Sequence, residues 1–246
     1  MTTPRLRQLL LWCSLLAFSS LASSQQASPA AIPDYAAAIA NPTRSDDDRD
    51  TDETRKPLTF LQFTKVRPGM QAMDIASGDG YTAKLLALVV GPTGTVWAQL
   101  DKPRPRLDNR LKAQPQANLR PYVRPVEDPY PADAPRLDLI TLVLSYHDIA
   151  YQPVDRALMA RNLFKALKRG GYFVVIDHSA KVGTGITDSK TLHRIDQATV
   201  VADFKAAGFK LDEESQFLRN PADPREQAFF DAKITTDKFA LRFVKP

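Results

Sequence analysis

The stretch that most constrains the fold is residues 73–81, where an apolar strand pattern ends in an acidic residue and a loop with two glycines. Asp74 belongs to the strand, Gly78 and Gly80 lie in the loop, and residues 81–88 have the composition of a helix. Glycine lets a backbone turn sharply and approach a ligand where a Cβ atom would clash. This order predicts a ligand site at the carboxyl end of a strand. For the loop alone, a tight turn without a ligand is the alternative.

Strand and helix patterns alternate along the rest of the chain. Residues 138–144 and 172–177 predict strands, and residues 163–167 end a helix before the glycine turn between them. Alternation of this kind predicts an α/β fold with a parallel sheet. We therefore expect a Rossmann-like, doubly wound, mostly parallel sheet with helices on both faces. The prolines between residues 103 and 135 limit any helix there to about residues 107–112.

The loop resembles the nucleotide loop of the class I S-adenosylmethionine-dependent methyltransferases, in which glycines at alternate positions follow an acidic residue. Ala76 stands in place of the first glycine. The resemblance covers most of the chain and continues through residues 89–98, 138–144, 163–177 and 207–209. It implies seven strands and S-adenosylmethionine as cofactor. Shorter segments resemble a group of exported bacterial proteins classed as predicted methyltransferases; these are residues 145–148, 177–180, 192–196 and 236–239.

By this resemblance, the first loop would hold the amino acid part of the cofactor. Asp74 would orient the loop or the cofactor's ammonium group through charge-assisted hydrogen bonds. The implied cofactor-binding residues of this region are Asp74, Ala76, Ser77, Gly78, Asp79, Gly80 and Tyr81.

The resemblance implies less about the ribose and adenine. Leu100 occupies the place of the family's acidic ribose ligand, so either Gln99 or Asp101 makes that contact or the contact is missing. Glu127 and Asp128 resemble the family's acidic pair near adenine, with a surface loop as the alternative. Tyr146 is expected to stack on adenine or ribose.

Two of the three histidines fall at predicted strand ends, His147 beside Asp148 and His178 after Asp177. Imidazole titrates near neutral pH and can accept a substrate proton. We predict that His147, Asp148 and His178 face the methyl acceptor as catalytic residues. The alternative is a histidine that is satisfied locally or packs on the cofactor. Two histidines on separate strands lack a definite third ligand, so we predict no metal site.

The predicted function is a methyltransferase that moves a methyl group from S-adenosylmethionine to a small molecule. Methyl transfer needs mainly alignment of a nucleophile with an electrophilic methyl group, so the lack of an obvious catalytic triad does not exclude it. Ala76 and Leu100 depart from the family pattern and motivate an alternative, an exported non-catalytic binding module on the same fold. The net charge of +5 over 246 residues and the absence of a basic, aromatic patch predict no nucleic acid partner.

The first residues resemble a secretory signal. Arg5 and Arg7 precede the apolar residues 9–18, and small residues follow at 22–24. The apolar run is shorter than the roughly 20 residues of a membrane-spanning helix, which argues against an anchor. We predict a signal peptide over residues 1–24, a flexible leader over 25–45 and one domain over 46–246. The mature protein would be periplasmic or secreted, without a membrane span and, since Cys13 is the only cysteine, without a disulfide.

Overall fold

Seven strands form one sheet in the part of the chain that the computed structural model describes, which is residue 1 and residues 33–131 and 134–246. The strands are β1 (Gln71–Ile75), β2 (Thr95–Leu100), β3 (Leu119–Val123), β4 (Leu137–Val143), β5 (Leu167–His178), β6 (Lys210–Ser215) and β7 (Lys238–Val244). Apart from Met1, the predicted signal peptide and the start of the predicted leader lie outside the described residues.

The strands are ordered β3-β2-β1-β4-β5-β7-β6. Neighbouring strands are parallel except for β7, which is antiparallel to both β5 and β6. The sheet is therefore mixed and mostly parallel, which confirms the predicted seven-stranded α/β architecture. After β1 the chain builds β2 and β3 on one side and then crosses to β4 on the other. A ligand crevice is expected at this reversal, outside the carboxyl ends of β1 and β4.

Eight helices are present among the described residues: α1 (Tyr35–Ala40), α2 (Asp46–Arg55), α3 (Pro57–Thr64), α4 (Tyr81–Val90), α5 (Pro105–Ala113), α6 (Tyr146–Tyr151), α7 (Arg156–Ala166) and α8 (Gln197–Ala206). Two apolar cores cover the two faces of the sheet: α6, α7 and α8 contribute to one, and α1, α3, α4 and α5 to the other. Alternate residues of β5 enter opposite cores, Phe173 one and Val174 the other. Burial on both faces explains why the central strands are continuous apolar runs.

The structure differs from the predicted leader at residues 35–40, which form α1. This helix packs on α3 and α4, and the Tyr35 hydroxyl donates to the Val66 carbonyl at 2.8 Å. Six residues cannot hold a helix by propensity alone, so its stability comes from this packing, which the sequence does not display. No described helix has the length and apolar composition needed to cross a bilayer.

The sequence of residues 189–196 predicts the start of a helix, whereas α8 begins at Gln197. The Asp196 side chain accepts from the Ala198 amide at 3.0 Å and caps α8. Just before the cap, the Ile195 amide donates to the carbonyl of His178 at 3.0 Å, which ties this segment to the end of β5. Ile195 is therefore held at the end of β5, and the helix begins after it. The helix predicted near residues 107–112 is confirmed as α5, and residues 119–123, which have only a weak strand pattern, form β3.

Candidate functional site

A cavity of about 770 Å³ opens at the carboxyl ends of β1 and β4, where the strand order reverses. The first loop forms its floor, α2 and α5 form its sides, and residues 143–145 after β4 close the far end. The volume lies in the range of small-molecule and cofactor sites, roughly 300–1,000 Å³.

Three residues of the first loop have left-handed backbone conformations. The φ angles are +50° at Ala76, +58° at Gly78 and +86° at Gly80. Ala76 therefore adopts, at a cost of roughly 1–2 kcal/mol, the conformation that makes glycine usual at its position. At Gly80 a Cβ atom would come within 2.6 Å of Leu107 Cδ1, so α5 leaves no room for a side chain. The conformation of the loop is therefore fixed by its own turns and by its contact with α5.

Buried polar side chains fix the shape of the loop. Asp74, only 2% exposed, accepts from Ser77 Oγ at 2.6 Å and from Thr141 Oγ1 at 2.7 Å. Burial raises the pKa of Asp74 to about 6, although these two hydroxyl donors lower it. Gln99 Oε1 accepts from the Ala76 amide at 2.9 Å while its Nε2 donates to the Arg124 carbonyl at 2.7 Å. Asp74 thus orients the loop, as one of the two predicted roles requires.

Helix α2 covers the cavity with charged side chains. Asp47, Asp48, Thr51 and Arg55 line it. Asp48 forms a reciprocal capping box with Ser45 and pairs with Arg110 of α5. The acid-rich sequence of residues 46–53 favours a solvated charged face, but Asp48 is buried. The serine three residues before Asp48 was the sequence signal for a fixed helix start here.

Arg55 is the cavity-lining cation with the fewest partners. It makes no hydrogen bond or ion pair with any residue that the structure describes, and its guanidinium lies 5.7 Å from the centre of the Tyr81 ring. Burial lowers the pKa of Arg55, while Tyr81, Asp74 and Asp177 raise it. By contrast, Arg106 at the rim pairs at 3.3 Å with both Asp47 and Asp79. The guanidinium of Arg55 is thus available to an anionic group in the cavity.

Several predicted cofactor residues lie elsewhere. Asp101 is exposed at 3.9 Å from Arg104, Asp128 pairs with Arg124 at the surface, and neither they nor Gln99 and Glu127 line the cavity. The side chain of Gln99 is buried and holds the first loop, so it is not placed to make the predicted ribose contact.

Tyr146 lies in the hydrophobic core and does not line the cavity. Its side chain is fully buried, its hydroxyl donates to Asp203 Oδ2 at 2.5 Å, and its ring packs on Phe204 at 5.2 Å. Tyr81, the other predicted tyrosine, does line the cavity, and its hydroxyl donates to Asp52 Oδ1 at 2.7 Å. Burial raises the pKa of both phenols, and the neighbouring aspartate of each raises it further.

All three histidines of the chain meet at the carboxyl ends of β4 and β5. The His147 ring centre lies 5.9 Å from that of His178 and 5.4 Å from that of His193. Asp177 holds the cluster, because it accepts from His147 Nδ1 at 2.6 Å and from the amides of His147 and His178, each at 2.8 Å. The structure thus brings together the predicted His147, Asp148 and His178.

The two predicted catalytic histidines have opposite pKa shifts. For His147, burial lowers the pKa, but the Asp177 and Asp148 carboxylates outweigh burial and raise it to about 10. For His178, burial and the positive charge of Lys238 lower the pKa to about 2. His178 Nδ1 lies 2.8 Å from Thr236 Oγ1. At neutral pH the carboxylates therefore favour the protonated, positively charged form of His147, whereas His178 is neutral.

Sequence reasoning did not assign His193 or Phe229 to this cluster. His193 Nδ1 lies 3.0 Å from Asp148 Oδ1, and the Phe229 ring stacks on His178 at 4.5 Å and 12°. His193 follows no strand, and Phe229 lies in an irregular segment, so no periodic pattern points to either. The sequence signal for His193 was that residues 192–196, like residues 145–148 and 177–180, belong to the segments that resemble the exported group.

Comparison with known proteins gives relatives over part of the chain. No family model matches it. The ubiquinone/menaquinone biosynthesis C-methyltransferase UbiE of Cupriavidus metallidurans is 32% identical over 130 residues, which are 50% of this chain and 49% of the relative. The chain thus spans about half the length of the curated relatives it matches.

Among solved structures, a SAM-dependent methyltransferase from Aquifex aeolicus superposes with a TM-score of 0.60 at 15% identity, over 80% of this chain and 93% of its own. Aeropyrum pernix fibrillarin, in complex with natively bound S-adenosyl-L-methionine, superposes with a TM-score of 0.50 at 17% identity, over 76% and 74%. The chain therefore has the class I methyltransferase fold.

Proposed function

We propose that the protein is an S-adenosylmethionine-dependent methyltransferase that binds its cofactor in the cavity over the first loop. The observation that carries this proposal is the loop itself: Ala76, Gly78 and Gly80 turn in the left-handed region at the floor of a 770 Å³ cavity. The loop stands at the point of the sheet where this fold class binds nucleotides. The similarity to UbiE and to solved methyltransferases supports the same conclusion.

The residues that line the cavity fit this cofactor. The amides of Ala76, Ser77 and Gly80 already donate within the protein, which leaves those of Gly78 and Asp79 as donors for its amino acid part. The guanidinium of Arg55, without an ionic partner among the described residues, suits its carboxylate. The sulfonium of S-adenosylmethionine supplies an electrophilic methyl group, so the protein has to align an acceptor with it.

The acceptor side of the proposed site is the histidine cluster at the ends of β4 and β5. Ser145 lines the cofactor cavity, and His147 follows two residues later at the start of α6. Phe229 and Phe230 are 40% and 62% exposed, and Phe230 lies 5.4 Å from His193. Exposed aromatic rings beside polar groups favour a small acceptor with an apolar body. The catalytic roles of His147, Asp148 and His178 stay predictions.

Calorimetric titration with S-adenosylmethionine and S-adenosylhomocysteine tests the cofactor site. A Cβ atom at Gly78 meets nothing in the protein closer than the Ala76 carbonyl at 4.0 Å, so Gly78→Val places its side chain in ligand space. Gly170→Val is a matched control, since Gly170 also has positive φ, +75°, and open surroundings, but lies near the amino-terminal end of β5, between Leu167 and Tyr172, which pair with Leu137 and Leu139 of β4.

Wild type and Gly170→Val are expected to bind both ligands. Gly78→Val should lose roughly tenfold or more in affinity, since about 1.4 kcal/mol of lost contact is a factor of ten. Undiminished binding by Gly78→Val would refute the site. A folded wild type that binds neither ligand would favour the non-catalytic binding module.

Export is a separate proposal that rests on the basic and apolar pattern of residues 5–24. S-adenosylmethionine is made in the cytosol, so an exported enzyme needs a supply of cofactor across the membrane. Cell fractionation with mass spectrometry of the mature amino terminus tests the proposal. A full-length chain found only in the cytosol would refute it.

A further inference from the structure

The histidine cluster contains a buried nitrogen that the protein does not satisfy. His147 is 1% exposed, and its Nδ1 donates to Asp177, which accepts but cannot donate when ionised. Its other nitrogen, Nε2, is buried and has no hydrogen-bond partner among the described residues. Asp148 Oδ1 lies 3.3 Å from this nitrogen. In the neutral imidazole Nε2 is an acceptor, so it and the Asp148 oxygen repel each other at that distance unless a proton or a metal ion lies between or beside them.

A third ligand atom completes the arrangement. His193 Nδ1 lies 3.0 Å from the same Asp148 oxygen, and the ligand atoms of the three residues all lie within 4.8 Å of one another. Ligands about 2.0–2.2 Å from a metal are roughly 3–3.5 Å apart in octahedral or tetrahedral geometry. The separations of 3.3 and 3.0 Å from Asp148 Oδ1 fall in this range.

The surroundings resemble those of a prepared metal site. Ligating histidines almost always donate their second ring nitrogen to a carboxylate or carbonyl, as His147 does to Asp177. His193 has a left-handed φ of +51°, a strained conformation for a residue with a side chain. Arg194 beside it is fully buried and paired with Asp223 at 2.7 Å, which anchors the segment without help from a metal.

We propose that His147 Nε2, the Asp148 carboxylate and His193 Nδ1 bind one first-row divalent transition metal ion. Two imidazoles with one carboxylate suit zinc, iron, cobalt or nickel rather than magnesium or calcium, which prefer oxygen ligands. Three protein ligands leave coordination positions open to an external ligand. The rings of Phe229 and Phe230 lie 6.0 and 5.4 Å from that of His193.

The test uses the full chain without a histidine tag. Zn²⁺ is titrated calorimetrically, and Co²⁺ is titrated with detection of its visible d–d absorption. His193→Ala and Asp148→Asn each remove one ligand. His178→Gln is the matched control, because His178 belongs to the same cluster but its Nδ1 contacts Thr236 and it is not a ligand of the proposed site. Circular dichroism confirms that each variant is folded.

Wild type and His178→Gln are expected to bind one ion per chain with the same affinity. The two ligand variants should bind at least roughly tenfold more weakly, the lower bound for losing even an outer-sphere partner. If His193→Ala does not fold, Asp148→Asn decides the result, because the Asp148 side chain is half-exposed and asparagine has nearly the same shape as aspartate. A folded wild type without saturable binding would overturn the proposal and leave a proton as the cation at His147. Equal binding by wild type and both ligand variants would overturn it as well.

Discussion

Replacement of Asp74 by asparagine is expected to stabilise the protein at neutral pH. Asp74 lies 2% exposed beneath the first loop, and its carboxylate accepts from Ser77 and Thr141. Asparagine has nearly the same shape. Its oxygen can accept from one hydroxyl and its amide can donate to the other, so both contacts can persist. The main change is therefore the loss of a buried charge.

The magnitude follows from the pKa of Asp74, which burial raises from 3.8 to about 6. A shift of about 2 units corresponds to about 3 kcal/mol, as an order of magnitude. Below pH 3.8 the carboxyl is protonated in both the folded and unfolded states and has no effect. Between pH 3.8 and 6 the folded state binds more protons, so stability falls as pH rises, and above pH 6 the full cost is present. Asparagine removes this cost.

Thermal unfolding of wild type and Asp74→Asn from pH 3.5 to 7.5 measures the effect. For a domain of this size about 3 kcal/mol corresponds to roughly 6–12 °C in Tm. The variant should exceed wild type by up to this amount at pH 7.5 and match it at pH 3.5. Asp128→Asn, at the surface, should change Tm little at either pH. A difference that is independent of pH, or a variant less stable at pH 7.5, would refute the reasoning.

Three further predictions concern packing and ion pairs. Gly80→Ala should cost about 1–3 kcal/mol, because the new Cβ comes within 2.6 Å of Leu107, and an unchanged Tm would contradict the tight fit. Arg194→Met should cost about 3–5 kcal/mol in urea unfolding, because Asp223 stays buried without its ion-pair partner. The double variant with Asp223→Asn should recover part of this loss of stability, and strict additivity of the two substitutions would contradict the coupling. Tyr146→Phe should cost about 1 kcal/mol and leave cofactor affinity unchanged, whereas weaker cofactor binding would place Tyr146 at the cofactor.

Local patterns were enough to predict the fold and the first loop. Strands that are buried on both faces must be apolar throughout, so β1, β4 and β5 were visible as apolar runs. The loop was visible because left-handed turns select glycine, which stands at Gly78 and Gly80. The short helix α1 was not visible, because a helix of six residues depends on the surface it packs against.

Cofactor residues implied by resemblance were placed less well than the loop. Asp74 and the loop residues other than Gly80 lie at the cavity, while Tyr146 is in the core and Gln99 is used to hold the loop. A position in a motif fixes the backbone to which a side chain is attached. It does not fix the direction of that side chain, which depends on neighbours from distant elements such as Asp203 of α8.

The sequence by itself determined an α/β chain with a ligand loop after its first strand, because periodicity and glycine usage are local properties. Only the tertiary structure decided that α2 covers the cavity and that His193 lies beside His147 and Asp148. His147 and His193 are 46 positions apart in the chain numbering. Residues at such separations meet only because the strands align their carboxyl ends at one edge and the segment after β5 folds back onto it, and no local pattern encodes that distance.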